Sequence, residues 1–144
     1  MVQLPSSSAQ IFVDVYSTLV RYAEAVDRND FEAVRGCFSP DCRIEWPART
    51  FVGYDEFDAW LRATKAAQGT TVHLVHNSRI SGGGDGTATA TYYVEAWLHH
   101  KGPSTEPPAH VFARFDDELE RDDNGVWVVV RRRNTVLTAE NFRH

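Results

Sequence analysis

His73 stands in the run Thr71-Val72-His73-Leu74-Val75-His76-Asn77, and an imidazole is the side chain best suited to exchanging a proton near neutral pH. Side chains on a strand alternate with period two, so His73, Val75 and Asn77 share one face and His76 takes the other. A half-buried strand fills such a row with apolar residues. A titratable ring and an amide in that row need partners. His73 is therefore the candidate chemical centre, with Asn77 beside it.

A carboxylate occupies a second unusual place. From Ile11 to Arg28 the chain carries its clearest helical period, with Val15, Leu19 and Ala23 four apart along one ridge and Phe12, Tyr16, Tyr22 and Val26 widening the apolar face. Asp27 is the next position on that ridge, aimed where a core or pocket should be. It also lies near the helix C-terminus, where the macrodipole disfavours negative charge. A cationic or hydrogen-bonding partner would explain it. The plainer reading is a frayed last turn, with Asp27 capping the Arg28-Asn29-Asp30 turn.

The elements that must position these two groups follow in order. Ser6, Ser7 and Ser8 offer caps for the first helix, and Asp30 caps a short helix from Phe31 to Cys37. Ser39-Pro40-Asp41 turns the chain into a strand from Cys42 to Trp46; Pro47 ends it, and Thr50 to Val52 gives another extended piece. Asp55 is expected to cap a third helix reaching about Gln68, with Phe57, Trp60, Leu61 and Thr64 on its buried side. Strands follow: Thr70 to Ser81, Thr87 to His100, Ala109 to Arg121 and Val126 to Thr138. They are separated by Gly82 to Gly86, the Gly- and Pro-bearing Lys101 to Pro108, and the hairpin turn Asp122-Asp123-Asn124-Gly125. Helices first and an antiparallel meander after make an α+β protein, its helices packed on one face of a curved sheet. Trp46, Phe51, Tyr92 or Tyr93, Trp97, Phe112 and Phe115 are available to line a pocket between the layers, although each alone is equally at home in a core.

Composition bounds the function. The chain has 144 residues, is 42% hydrophobic and carries a net charge of −5, which suits one globular domain (1–144) and disfavours nucleic acid or an anionic membrane as the partner. Arg131 to Arg133 form the one basic run, and on a strand they point to alternating faces. The stretch 1–5 lacks the basic and apolar segments of a leader, and no window is long and apolar enough to span a membrane. Cys37 and Cys42 lack companions at metal-ligand spacing and read as free thiols in a reducing cytoplasm.

Several runs together resemble the SnoaL-like group of the nuclear-transport-factor-2-like superfamily, which includes scytalone dehydratase, ketosteroid isomerase and hexachlorocyclohexane dehydrochlorinase. They are residues 22–31, Phe38-Ser39-Pro40-Asp41, Gly53-Tyr54-Asp55, His73 with Asn77, and Gly125-Val126-Trp127 leading into Arg131-Arg132-Arg133. The resemblance implies a cone-shaped α+β barrel, three N-terminal helices packed on a curved, mostly antiparallel sheet enclosing a pocket. In the dehydratase and dehydrochlorinase branch, a histidine after the third helix works with an aspartate at the end of the first, which match His73 and Asp27 here. An arginine five residues beyond the last-strand tryptophan matches Arg132, whose strand neighbours Val128, Val130 and Asn134 would share its face. The choice of Arg132 among the three arginines rests on the resemblance.

A carboxylate bonded to one ring nitrogen fixes the histidine tautomer and stabilises the imidazolium formed when the other nitrogen takes a proton. Such a dyad suits abstraction of a carbon-bound proton, followed by loss of water or halide or by migration of a double bond. Arg132 would stabilise the developing charge. The reading is thus a lyase or isomerase without metal or organic cofactor, acting on a small hydrophobic cyclic molecule such as a polyketide, steroid or aromatic precursor. Tyr22, Trp46, Asn77, His110 and Phe112 are its expected pocket residues. The alternative is a non-catalytic binding or structural subunit, like the β subunit of ring-hydroxylating dioxygenases. Self-association is expected in either case, a homodimer first and a trimer second.

Overall fold

The computed structural model describes residues 7–142. The stretch 1–5 and Ser6, read above as leaderless and as part of a cap, lie outside them. Three helices, α1 (Ser8–Asp27), α2 (Phe31–Arg35) and α3 (Tyr54–Ala66), pack on a six-stranded sheet. Its strands are β1 (Phe38–Trp46), β2 (Arg49–Val52), β3 (Gln68–Gly82), β4 (Thr87–His100), β5 (Ala109–Arg121) and β6 (Trp127–Glu140).

The order across the sheet is β2-β1-β6-β5-β4-β3, so the last four strands form the expected meander. β1 joins it parallel to β6, and every other pairing is antiparallel. The sheet curves without closing, an open cone rather than a barrel, because β2 and β3 remain edges. Ser39-Pro40-Asp41 is carried within β1 instead of forming a separate turn, and the register of β1 on β6 shifts across this stretch.

α1 starts where Ser7 Oγ accepts the Gln10 backbone N–H at 3.1 Å. Ile11, Val15, Leu19, Tyr22 and Val26 on its ridge are all at most 6% exposed. Burying each such side chain contributes about 1.5–3 kcal/mol. Thr18 anchors the helix across the core, donating from Oγ1 to the Trp127 carbonyl at 2.9 Å. α3 departs from the expected cap: Gly53, at φ +85°, holds the cap position without a side-chain bond, and Asp55 instead pairs with Arg35 at 3.0 Å.

The β5–β6 turn closes on Asp122, whose Oδ1 accepts the N–H groups of Asn124 and Val126, both at 2.9 Å. Gly125 there adopts φ +78°, a conformation that glycine reaches without a Cβ penalty. Gly69, where the chain leaves α3 for β3, is required for a different reason. A Cβ at that position would stand 2.5 Å from the His100 carbonyl oxygen of β4. No helix among the described residues is long and apolar enough to cross a membrane.

Candidate active site

Asp27 is the last residue of α1, and the helix does not fray there: the Arg28 N–H bonds back to the Glu24 carbonyl at 3.1 Å. Asn29 turns the chain at φ +56°, and Asp30 does the capping for α2, accepting from the Ala33 N–H at 3.2 Å. Asp27 is thereby free to reach β3. Its Oδ1 lies 2.6 Å from His73 Nδ1 and accepts from Thr71 Oγ1 at 2.9 Å, while Oδ2 accepts the His73 backbone N–H at 2.8 Å. One carboxylate thus fixes both the ring and the backbone of the histidine.

The electrostatics agree with this geometry. Burial pushes the Asp27 carboxyl upward, but the hydrogen bonds from the His73 ring and backbone, the His73 charge and the Thr71 hydroxyl outweigh it and hold the group below the ordinary carboxylate range. An ionised Asp27 requires a proton on Nδ1. Nε2 is then the nitrogen left to exchange a proton.

His73 opens on an apolar cavity of about 180 Å³ between α1, α3 and the inner face of the sheet. Tyr22 and Trp46 line it as expected, and Trp60, Phe115, Val94, Ala96, Val111 and Ala113 supply much of the rest. Its polar lining includes Lys65, Gln68, Thr64 and Asn134 as well as His73. Trp46 meets Trp60 edge to face with centroids 5.4 Å apart, and Phe115 at 5.8 Å, which stiffens one wall. Of the other aromatic residues named from sequence, Phe51 and Tyr92 are in the packed core, and Trp97 and Phe112 lie on the opposite face of the sheet.

Arg132 is placed differently from the expectation. It is 1% exposed and is not in the cavity wall. Its Nε and Nη2 form a two-pronged bond to Asp117, each at 2.9 Å, and Nη2 also reaches Tyr92 Oη at 2.8 Å. The rings of Tyr22, Phe38 and Phe115 pack against the guanidinium, with centroids 4.3, 5.0 and 4.7 Å away. Tyr22 and Phe115 belong to the cavity lining, so Arg132 lies behind them. Its neighbours differ too: a register shift near Val130 turns Trp127, Val129, Arg132 and Asn134 inward, and Val128 and Val130 do not share that face.

The same kind of shift removes Asn77 from the site. It adopts φ +49° at a register break between His76 and Arg79, is exposed, and does not touch the cavity. His110 and Phe112 also face outward. His110 Nε2 meets Glu95 Oε2 at 2.7 Å, its ring stacks on Trp97 at 3.7 Å, and Phe112 packs edge-on against it at 5.1 Å. His76 joins this outer cluster through Glu95 Oε1 at 2.9 Å, on the face opposite His73 as its spacing requires. Among the described residues, no group of three or more His, Cys, Asp or Glu side chains is placed to hold a metal ion.

Lys65 and Thr71 were not singled out from the sequence. Lys65 Nζ donates to Thr71 Oγ1 at 2.5 Å, so a continuous chain of hydrogen bonds runs Lys65–Thr71–Asp27–His73. Phe57, Leu61 and Lys65 lie four apart on the buried ridge of α3, as Val15, Leu19, Ala23 and Asp27 do on α1.

Fold and site together define an open-cone α+β protein with a histidine, paired to an aspartate, in the wall of an apolar cavity. The SnoaL-like domain model matches residues 12–133, and the chain belongs to that family. Its structure is similar to that of a protein from Novosphingobium aromaticivorans provisionally assigned as a scytalone dehydratase, with a TM-score of 0.85, 19% identity and coverage of 92% of this chain and 88% of the other. A second protein of that organism, provisionally assigned as an aromatic ring hydroxylase, gives 0.81 at 20% identity over 94% and 95% of the two chains. ActVI-ORFA of Streptomyces coelicolor gives 0.72 at 21% identity over 87% and 96%. No curated protein sequence matches the chain.

Proposed function

We propose that this chain is a lyase or isomerase of the dehydratase or cyclase type, acting on a small hydrophobic ring compound with His73 as the base. The observation that carries this reading is the 2.6 Å contact of His73 Nδ1 with Asp27 at the edge of an apolar cavity. His73 Nε2 takes a carbon-bound proton next to a carbonyl, and the C–H electron pair passes into an enolate. The enolate then either expels a hydroxide, which leaves as water with the proton that His73 carries, or takes that proton from His73 at another carbon. Asp27 stabilises the imidazolium in between. All the proton-transfer groups belong to the chain, and its two free, buried thiols agree with a reducing cytoplasm.

The test is hydrogen–deuterium exchange of the acidic C–H of 1-tetralone, a two-ring aromatic ketone, in deuterated buffer followed by NMR. The wild type should accelerate exchange, and both His73→Ala and Asp27→Asn should lose about 10²–10⁴-fold of the acceleration. Acceleration that survives both substitutions refutes the dyad. Binding of the ketone without exchange would favour the non-catalytic module.

We propose further that the chain pairs with a second copy through the outward face of its sheet. Val72 and Leu74 are 39% and 41% exposed there, Val72 opposite Trp97 and Leu74 opposite Glu95, across which Phe112 follows on β5. A strand apolar on both sides is usually covered on both.

A further inference from the structure

Lys65 sits on the last turn of α3, 5% exposed, in the wall of the cavity that His73 also lines. An ammonium is costly to bury in an apolar wall unless a partner or a ligand compensates it. Its Nζ has one hydrogen-bond partner among the described residues, Thr71 Oγ1, although an ammonium carries three donors. Thr71 does not neutralise it, because the hydroxyl only relays the bond to Asp27. A second polar group is unsatisfied in the same wall: Asn134, 9% exposed, has no hydrogen-bond partner for its Oδ1. An ammonium in the cavity wall with donors to spare, and a buried amide oxygen of a second lining residue that lacks a donor, describe a ligand that supplies polar atoms as well as an apolar body.

Charge balance identifies the polar atoms. With Lys65 as the ammonium, Asp27 ionised and His73 neutral, the three groups sum to zero. A proton taken from a ligand by His73 leaves them at +1 beside a ligand at −1, so the cavity stays neutral at both stages. Without Lys65 the same transfer would leave a net negative charge in an apolar enclosure. Arg132 cannot supply the balance, since Asp117 already neutralises it behind the wall.

We propose that Lys65 forms an anion-holding subsite for the acidic oxygen of a ring compound, an enol, phenol or carboxylate, with the ring filling the apolar remainder of the cavity. The inference rests on the Asp27–His73 reading, because the charge it balances is the one created by proton transfer to His73. Burial lowers the affinity of Lys65 for its proton and the Asp27 charge acts the other way, so a bound anion would complete what Asp27 begins.

The probe is 4-nitrophenol, which turns yellow on ionising, with fluorescence of Trp46 and Trp60 in the cavity wall reporting that it binds. Bound to the wild type, its phenolate-to-phenol ratio should exceed that of the free probe about tenfold or more at equal pH, a downward shift of one pK unit. Lys65→Arg should keep this preference, Lys65→Met should bind the neutral phenol without it, and His73→Gln should keep it. A wild-type complex in which the probe ionises no more readily than in buffer overturns the proposal, whether or not the variants fold. A preference kept in Lys65→Met and lost in His73→Gln overturns it as well and leaves the dyad standing. Failure of the probe to bind also overturns it, and the dyad is then judged separately by deuterium exchange.

Discussion

Arg132 is buried and paired to Asp117 behind the cavity wall, so its removal should be felt in folding before it is felt in chemistry. Arg132→Met leaves Asp117 buried and unpaired, which costs about 3–5 kcal/mol, and urea unfolding should show the midpoint fall accordingly. Arg132→Met combined with Asp117→Leu should recover most of that loss, because the orphaned charge is gone. Asp27 makes a smaller contribution with a defined pH dependence. Its folded pKa is depressed, so its stabilisation is present above the ordinary carboxylate pKa of about 4 and is lost as pH falls through the lower folded value. The gap in melting temperature between wild type and Asp27→Asn should therefore narrow on acidification below about pH 4. Asp27 was legible in the sequence as a charge on an apolar ridge. Lys65 occupied an equivalent place, but lysine stems commonly lie along apolar surfaces with the ammonium in water, so spacing alone gives it no distinction. The partner of Arg132 was invisible for another reason: Asp117 stands opposite it only once β5 and β6 are in register.

Period-two reasoning holds within a strand until an extra residue enters it, and β3 and β6 each contain such a break. Up to Val75 the inward set is the expected one, after which Asn77 interrupts the pairing and Ile80 returns to the core side. In β6 the break near Val130 moves Arg132 onto the face of Trp127 and Val129. A bulge leaves only a weak local trace in sequence, which explains why the strands were legible while Asn77 and the neighbours of Arg132 were misplaced. β5 keeps strict alternation beside the cavity, so His110 and Phe112 were open to correction by parity once Phe115 was known to face in. Because Asn77 holds φ +49°, Asn77→Val should destabilise by about 1–2 kcal/mol. Asn77→Gly should stay within about 0.5 kcal/mol of the wild type in thermal denaturation and leave tetralone exchange unaltered.

Over the whole chain, the succession of helices and then a meander was enough to reveal the class of fold. The return of β1 to lie parallel to β6 depends on contacts between residues almost a hundred positions apart, and local pattern cannot encode it. The outward face is where the molecule as a whole can be tested: light scattering should give twice the 16.3 kDa chain mass, and Val72→Asp with Leu74→Asp should return it to one chain with tetralone exchange retained. Cys37 and Cys42 are 0% and 1% exposed, and burial pushes the Cys42 thiol up to about 11, so neither sulfur is within reach of a reagent while the fold is intact. Both stand where α2 and β1 meet the core. A thiol reagent in solution therefore has to wait for that corner to open. The pace of its reaction is a clock for rare excursions of the native protein, wound by the same packing that walls the cavity.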